Sequence, residues 1–270
     1  MAANIFHKKE FSEAYQAGMI EDSPKIKNLV LSYLEKKNEK PFQLAVDVGC
    51  GTGRSTQALA PYFQKVIGID VSESQLNVAR KCTSHNNIYY QIAQAEELPL
   101  EDASVDLINA GLAAHWFNPE KFVQEAARVL KNGGCLALNS FALVFEIQYK
   151  DKSKELTAVF NEACETLWEI DKKVADKIKA MYPELFRALP FTDKQRIRDI
   201  HDVFPLTVSK ILSFFKSMYV YRDFLQQDKD KATAFLQDLE KKFFDILGES
   251  ASNVLLEFHA YYFCLLASKP

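Results

Sequence analysis

The sequence lacks features that would place it in several common classes of protein. Its 270 residues contain no uninterrupted apolar run of about 20 residues, so no membrane span is predicted. The five cysteines are scattered and include no C-x-x-C pair, which argues against a zinc site and a disulfide framework. The net charge is only −3, so the chain has no overall basic field to attract nucleic acid. The charged N-terminus has no apolar segment typical of a secretory signal. We therefore expect a cytoplasmic protein, a monomer or weak dimer, with no membrane, nucleic-acid or metal partner.

Hydrophobic residues make up 48% of the chain, which is enough for a sizeable core, and their pattern changes along the sequence. Short apolar runs typical of strands alternate with amphipathic segments typical of helices. We predict strands at 43–49, 65–70, 87–93, 104–111, 135–141, 194–204 and 253–269. We predict helices at 8–17, 24–37, 56–63, 72–82, 119–130, 151–187, 207–226 and 230–246, and a turn at 132–134. This alternation indicates an α/β fold with a mostly parallel sheet and helices on both faces.

The first predicted strand runs into a loop with three glycines, in LAVDVGCGTGRST. Gly49, Gly51 and Gly53 have the spacing G-x-G-x-G. The dinucleotide pattern G-x-G-x-x-G would need a glycine where Arg54 stands, and no P-loop pattern is present. Asp47 precedes the glycines, and an acid there disfavours phosphate and favours a ligand with an ammonium group.

A second acid, Asp70, ends the next predicted strand in VIGID. An acid at that position can accept hydrogen bonds from both hydroxyls of a ribose. The site therefore calls for a ribose, no phosphate and a cationic amino-acid end, and S-adenosylmethionine has those parts.

Several segments together resemble the class I S-adenosylmethionine-dependent methyltransferases. VDVGCGTG is similar to their first motif, and GIDVSESQLNVAR and QAEELPLEDASVDLINAG are similar to the regions that follow it. AHWF and RVLKNGGCLAL resemble the small-molecule methyltransferase group that includes trans-aconitate methyltransferases. The resemblance is dense from residue 44 to 140 and loose beyond. It implies a Rossmann-like, seven-stranded, mostly parallel sheet with helices on both faces and a helical lid insertion.

The resemblance also implies which residues bind the cofactor, S-adenosyl-L-methionine. The loop would lie under the methionine and ribose parts, with Asp47 near the amino group and Asp70 on the ribose. Val71 would pack on the adenine, and Asn109 and Ala110 would offer backbone groups to the methionyl amine. The full set of implied cofactor residues is Tyr15, Asp47, Gly49, Gly51, Thr52, Gly53, Asp70, Val71, Ala95, Glu96, Asn109 and Ala110.

The methyl acceptor is less constrained by the sequence. His115 and Trp116 follow the fourth predicted strand, at the end of the sheet where ligands bind. His115 is the candidate catalytic residue, as a base or by orienting the cofactor, and Trp116 could wall the substrate or pack on the sheet. Tyr219 and Arg222 lie in a later aromatic-rich segment. Arg222 is a candidate for binding an anionic group, although a surface position beside Asp223 is the favoured explanation. The other histidines have no companions in the sequence.

These segments predict four regions. Residues 1–40 would be N-terminal helices that cover the cofactor site, and 41–145 the S-adenosylmethionine-binding core. Residues 146–250 would be a helical lid and substrate region with a strand at 194–204, and 251–270 a C-terminal strand that completes the sheet.

We predict an enzyme that transfers a methyl group to a small-molecule carboxylate, hydroxyl, thiol or amine. Two alternatives stay open: a non-catalytic cofactor-binding regulatory or partner protein, and a methyltransferase that acts on a protein. A nicotinamide-dependent oxidoreductase is disfavoured by the missing last glycine.

Overall fold

The computed structural model describes residues 6–248 and 254–270, and it contains eleven helices and seven strands in those ranges. The strands are β1 Phe42–Val48, β2 Phe63–Asp70, β3 Ile88–Ile92, β4 Val105–Gly111, β5 Leu130–Gln148, β6 Asp193–Leu206 and β7 Leu256–Ser268. The helices are α1 Lys9–Gly18, α2 Pro24–Glu35, α3 Arg54–Leu59, α4 Glu73–Cys82, α5 Pro119–Val129, α6 Ser153–Trp168, α7 Lys172–Lys179, α8 Pro183–Ala188, α9 Val208–Ser217, α10 Tyr219–Gln227 and α11 Lys229–Leu247. No helix in these ranges is both long enough and apolar enough to cross a membrane.

The strands form one seven-stranded sheet with the order β3-β2-β1-β4-β5-β7-β6. β1 pairs in parallel with β2 and β4, and the pairs β2–β3 and β4–β5 are also parallel. The strands β1, β2 and β3 therefore follow one another toward one edge of the sheet, and β4 pairs with the opposite side of β1. The predicted α/β fold with a mostly parallel, seven-stranded sheet is confirmed.

Local sequence explains where two of the helices begin. Ser23 and Ser72 precede α2 and α4, and their hydroxyls accept hydrogen bonds from the backbone N–H of Ile26 and Gln75. Each bond satisfies one of the donors that the first helical turn leaves unpaired. Pro61 follows α3 within a short 3-10 turn. Because proline cannot donate the bond that continues a helix, α3 ends at Leu59 and the predicted helix over 56–63 is too long.

The predicted turn at 132–134 is wrong, because β5 continues through these residues. The pairing with β4 shifts register there, from Leu130 opposite Val105 to Cys135 opposite Leu107. Gly133 has a φ of 74°, and a Cβ on Gly134 would lie 2.9 Å from the carbonyl oxygen of Val105. The two glycines thus mark an irregularity inside a strand, where the backbones approach closely.

The predicted single helix over 207–226 is also wrong. The segment forms two helices, α9 and α10, because Met218 between them is extended. The hydroxyl of Ser217 donates to the carbonyl oxygen of Phe214 over 2.6 Å. A local bond of this kind competes with the helical ladder, so the chain leaves the helix at this position.

The chain divides into two compact units, which are described separately. The glycine-loop unit consists of Asp22–Ala142, Lys177–Ile200 and Tyr262–Pro270, and the helical unit consists of the described residues of Met1–Glu21, Leu143–Asp176 and His201–Tyr261. The boundary predicted between residues 250 and 251 lies outside the described residues. The predicted roles of the segments, as cofactor core and lid, stay predictions.

The helical unit has an aromatic core centred on Phe160 of α6. Its ring centroid lies 5.4 Å from Phe145, 5.0 Å from Phe215 and 5.2 Å from Phe258. These separations are typical of favourable aromatic pairs. Packing among these rings explains many of the aromatic residues in this part of the sequence without a ligand.

Candidate functional site

The candidate site is built on the loop that follows β1 in the glycine-loop unit. Gly49, Gly51 and Gly53 have positive φ values of 68°, 54° and 78°. A Cβ on Gly49 would lie 2.5 Å from the Cβ of Ala113, and one on Gly53 would lie 2.2 Å from the hydroxyl oxygen of Tyr90. Both the left-handed backbone and the close packing require glycine at these positions.

The loop lies at the point where the order of the strands reverses. Asp47 of β1 is the register partner of Asn109 in the neighbouring strand β4, and both strands end within a few residues of this pair. In parallel α/β sheets, ligands bind beyond the carboxyl ends of the strands at such a reversal. The topology therefore places the glycine loop at the expected ligand end of the sheet.

Asp47 is the centre of a buried polar network. Its carboxylate accepts hydrogen bonds from Thr56 Oγ1 at 2.7 Å and Asn109 Nδ2 at 2.8 Å. Asn139 Nδ2 donates in turn to Asn109 Oδ1 at 3.3 Å. Burial raises the pKa of Asp47 to about 6, while the bonds from Thr56 and Asn109 act in the opposite direction. A cation next to this carboxyl would favour its charged form, as the predicted contact with an ammonium group requires.

Asp70, at the end of β2, is hydrogen-bonded to the glycine loop. Its Oδ2 accepts from the backbone N–H of Gly51 at 2.8 Å, and its Oδ1 accepts from the backbone N–H of Ser72 at 2.8 Å. The side chain is therefore fixed in place beside the glycine loop.

Two buried polar atoms lie within or beside the glycine loop. Within the described part of the chain, Thr52 Oγ1 and Gln75 Oε1 are buried without a hydrogen-bond partner. A Cβ on Gly51 would lie 3.6 Å from Gln75 Oε1, so this oxygen is next to the loop backbone. Unpaired buried polar atoms are rare in folded proteins and are commonly satisfied by water or a ligand.

The residues predicted to surround an adenine lie in the same unit. Val71 is 52% exposed directly after Asp70, whereas Ala95 is buried. Glu96 Oε1 accepts from the backbone N–H of Asn118 at 2.7 Å and so joins the loop before β4 to the segment after it. Ala110 is buried inside β4 next to Asn109. The ligand contacts of these residues stay predictions.

His115 and Trp116 form a short 3-10 turn after β4, in the segment that packs on Gly49. His115 is buried, and its Nδ1 lies 3.1 Å from the hydroxyl oxygen of Tyr182. Burial lowers the pKa of His115 to about 3, and the charge of Lys177 acts in the same direction. At this pKa the imidazole of His115 is neutral near pH 7. Trp116 is 37% exposed, and its ring centroid is 4.9 Å from that of His115.

Three of the predicted site residues belong to the helical unit. Tyr15 lies on α1 with its ring 6.0 Å from Phe11. Tyr219 is buried, and its hydroxyl donates to Asp171 Oδ2 at 3.2 Å. Arg222 donates from Nε to the carbonyl oxygen of Lys216 at 2.9 Å, and burial lowers its pKa. Roles for these residues at a ligand stay predictions.

The structure adds residues that the sequence prediction missed. Thr56 and Asn139 complete the Asp47 network, and Tyr182 bonds His115 across 67 positions of sequence. Asp22 accepts from Arg54 Nε at 3.2 Å and from the hydroxyl of Ser55 at 3.0 Å, just after the glycine loop. Only Thr56 and Ser55 are close to the motif in sequence and could have been found from it.

The expectation that the other histidines have no companions is wrong for one pair in the helical unit. His201 Nε2 and His259 Nδ1 are 2.9 Å apart, and their rings stack with centroids 4.9 Å apart. The two residues are 58 positions apart in sequence on β6 and β7, so only strand pairing brings them together. No group of three or more His, Cys, Asp or Glu side chains in residues 6–248 and 254–270 is arranged to hold a metal ion.

Comparison with known proteins agrees with the geometry of the glycine-loop unit. Residues 46–138 match the family model described as a methyltransferase domain. A Dictyostelium discoideum protein named as a candidate methyltransferase is 37% identical over 121 residues, which cover 45% of each chain. A Saccharomyces cerevisiae protein named as a candidate S-adenosylmethionine-dependent methyltransferase is 38% identical over 108 residues, covering 38% of this chain and 35% of that one. The chain thus matches less than half the length of these curated relatives.

The likeness to solved structures extends further along the chain. A candidate type II methyltransferase from Anaeromyxobacter dehalogenans has a TM-score of 0.69 and 21% sequence identity. The alignment covers 93% of this chain and 98% of that chain. At this identity the comparison establishes the fold, which is Rossmann-like.

Proposed function

We propose that this protein transfers a methyl group from S-adenosylmethionine to a small-molecule acceptor. The observation that carries the proposal is the hydrogen bond between Asp70 and Gly51, which joins the carboxylate at the end of β2 to the glycine loop. This arrangement lies inside residues 46–138, the segment that matches the methyltransferase domain. The named cofactor of the yeast relative supports the same choice of methyl donor.

The residues of the site fit the parts of the proposed cofactor. Asp70 would accept from the ribose hydroxyls, since its carboxylate stands at the end of β2 and is hydrogen-bonded to the glycine loop. Val71 offers an exposed apolar surface for the adenine. Asp47, whose pKa is raised by burial, would be stabilised as a carboxylate by the cationic end of the ligand. Thr52 Oγ1 is a buried hydroxyl for which a ligand could supply the partner that the described residues do not.

Methyl transfer places limited chemical demands on the side chains. When bound, S-adenosylmethionine supplies a methyl group on a sulfonium, and a nucleophile displaces it in line. The protein then has to hold the nucleophile in position and exclude water. His115 belongs to the segment that packs on the glycine loop, so it is our candidate for contacting the acceptor.

The state of His115 bears on the nature of the acceptor. Because burial lowers its pKa to about 3, the neutral imidazole is a weak base near pH 7. A weak base favours a carboxylate or a thiol as the methyl acceptor over an alcohol, because an alcohol must lose a much more tightly held proton. The net charge of −3 disfavours nucleic acid as the acceptor. We do not propose aconitate itself, because a tricarboxylate calls for several converging arginines, and the predicted lid sequence has no arginine cluster.

The first test is calorimetric titration of the purified protein with S-adenosylmethionine and S-adenosylhomocysteine. We expect saturable binding of both, and no binding of either would refute the proposal. The second test follows S-adenosylhomocysteine release with panels of carboxylates, thiols, alcohols and amines, and with a protein extract. Binding without turnover on any acceptor would instead indicate a non-catalytic partner protein, and turnover on the extract alone would indicate a protein methyltransferase.

A further inference from the structure

Tyr182, which contacts His115, is fixed in position by both its backbone and its ring. Tyr182 precedes α8 and has left-handed backbone angles, φ 52° and ψ 57°. Its N–H donates to the carbonyl oxygen of Lys177 at 3.1 Å, and its ring meets Phe263 edge-on with centroids 5.0 Å apart. A tyrosine in this backbone region is strained, and such strain persists only where the surroundings fix the residue. The hydroxyl is therefore presented to His115 in a fixed position.

The chemistry of the two groups decides which of them donates. A phenol is a far stronger acid than the N–H of a neutral imidazole, and an imidazole nitrogen is a far better acceptor than a phenol oxygen. The stronger of the two possible bonds therefore runs from the Tyr182 hydroxyl to His115 Nδ1. Burial raises the pKa of Tyr182, and the side chain of Ser140 acts in the opposite direction, as a donor toward the phenol oxygen would.

We propose that Tyr182 is a positioning residue that donates to Nδ1 of His115, holds the imidazole as the Nε2–H tautomer and makes it a hydrogen-bond donor toward the methyl acceptor. Nδ1 is engaged by Tyr182, so Nε2 is the nitrogen available to a ligand. The protonated imidazole is excluded near neutral pH, because burial and the charge of Lys177 both oppose it. Two neutral tautomers therefore remain. The Nε2–H tautomer donates through Nε2, whereas only the Nδ1–H tautomer could act as a base through Nε2.

The purpose assigned to this pair rests on the proposed methyl transfer, but the tautomer can be measured without turnover. We would record nitrogen-15 shifts of uniformly labelled protein at pH 7 and assign His115 by comparison with His115→Ala. The expected spectrum has a protonated Nε2 and an unprotonated Nδ1. In Tyr182→Phe, we expect the two shifts to move toward each other, because the bond that selects the tautomer is lost.

The matched control is Tyr33→Phe, which also removes a buried hydroxyl from the same unit. It should leave the His115 shifts unchanged. A wild-type protein with the proton on Nδ1, or a Tyr182→Phe variant that keeps the Nε2–H shifts, would overturn the inference. If Tyr182→Phe fails to fold, the wild-type spectrum still decides the direction of the bond.

Kinetics separate this inference from the proposed function. We expect Tyr182→Phe to lower kcat/KM roughly tenfold, about the value of one hydrogen bond, with unchanged affinity for S-adenosylhomocysteine. Unchanged kcat/KM would refute the positioning role. If no acceptor is turned over by the wild-type protein, the proposed function fails while the tautomer measurement still stands.

Discussion

Replacement of Asp70 by alanine tests the cofactor assignment most directly. The substitution removes the acceptor of two backbone bonds, from Gly51 and Ser72, each at 2.8 Å. It also removes the group that we expect to accept from the ribose. A hydrogen bond to a charged group contributes about 1.5–3 kcal/mol, so losing the ribose contact should weaken binding roughly 10- to 150-fold. The half-exposed position of Asp70 favours the lower end of this range.

The assay is calorimetric titration with S-adenosylhomocysteine, and the control is Glu73→Ala. Glu73 is an exposed acid on the first turn of α4 that pairs with Arg80, so its loss should leave affinity unchanged. Because Asp70 also holds the loop, a second ligand with a deoxyribose separates the two effects. If the carboxylate contacts the ribose, the penalty of Asp70→Ala shrinks with the deoxy ligand. Equal penalties for the two ligands would remove the ribose assignment, and unchanged affinity would refute the site.

Three further predictions address the loop, the buried acid and the histidine. Gly53→Ala should lower the unfolding free energy measured with urea by more than about 2 kcal/mol, because left-handed strain adds to a clash with Tyr90; an unchanged unfolding free energy would contradict this account of the loop. The raised folded-state pKa of Asp47 means that stability is lost as pH rises from about 4 to 6, by about 3 kcal/mol, and Asp47→Asn should remove that slope. A slope retained in Asp47→Asn would contradict the assignment of that pKa. His115→Gln, which keeps an N–H donor near Nε2, should retain more activity than His115→Ala; equal losses would favour a base.

The strand–helix pattern predicted from the sequence is confirmed over most of the chain. Buried parallel strands appear as short apolar runs, and serine at Ser23 and Ser72 marks helix starts by its local hydrogen bonds. Predictions fail where a local signal has two structural meanings. Two adjacent glycines can form a turn or an irregularity within a strand, and Gly133 and Gly134 form the latter, where the backbones of Lys37 and Val105 approach them closely.

The residues of the candidate site likewise fall into those that the sequence identifies and those that only the fold brings together. Asp47 and the three glycines are recognisable because a tight loop after a strand needs residues of these types at fixed spacing. Tyr182 was not recognisable as a partner of His115, since nothing within 67 positions of sequence links them. The pairing of His201 with His259 was missed for the same reason, because two separate strands bring them together.

The sequence by itself led to the class of ligand that we propose, because a ribose and an ammonium group need particular side chains beside a loop whose conformation only glycine can adopt. It also determined the order of the strands and helices, since each carries its own period of apolar residues. Only the tertiary structure decided the protonation of the site. The pKa values of Asp47 and His115, and the bond from Tyr182 that selects a tautomer, depend on burial and on contacts between distant segments. Those contacts exist only after the chain has folded.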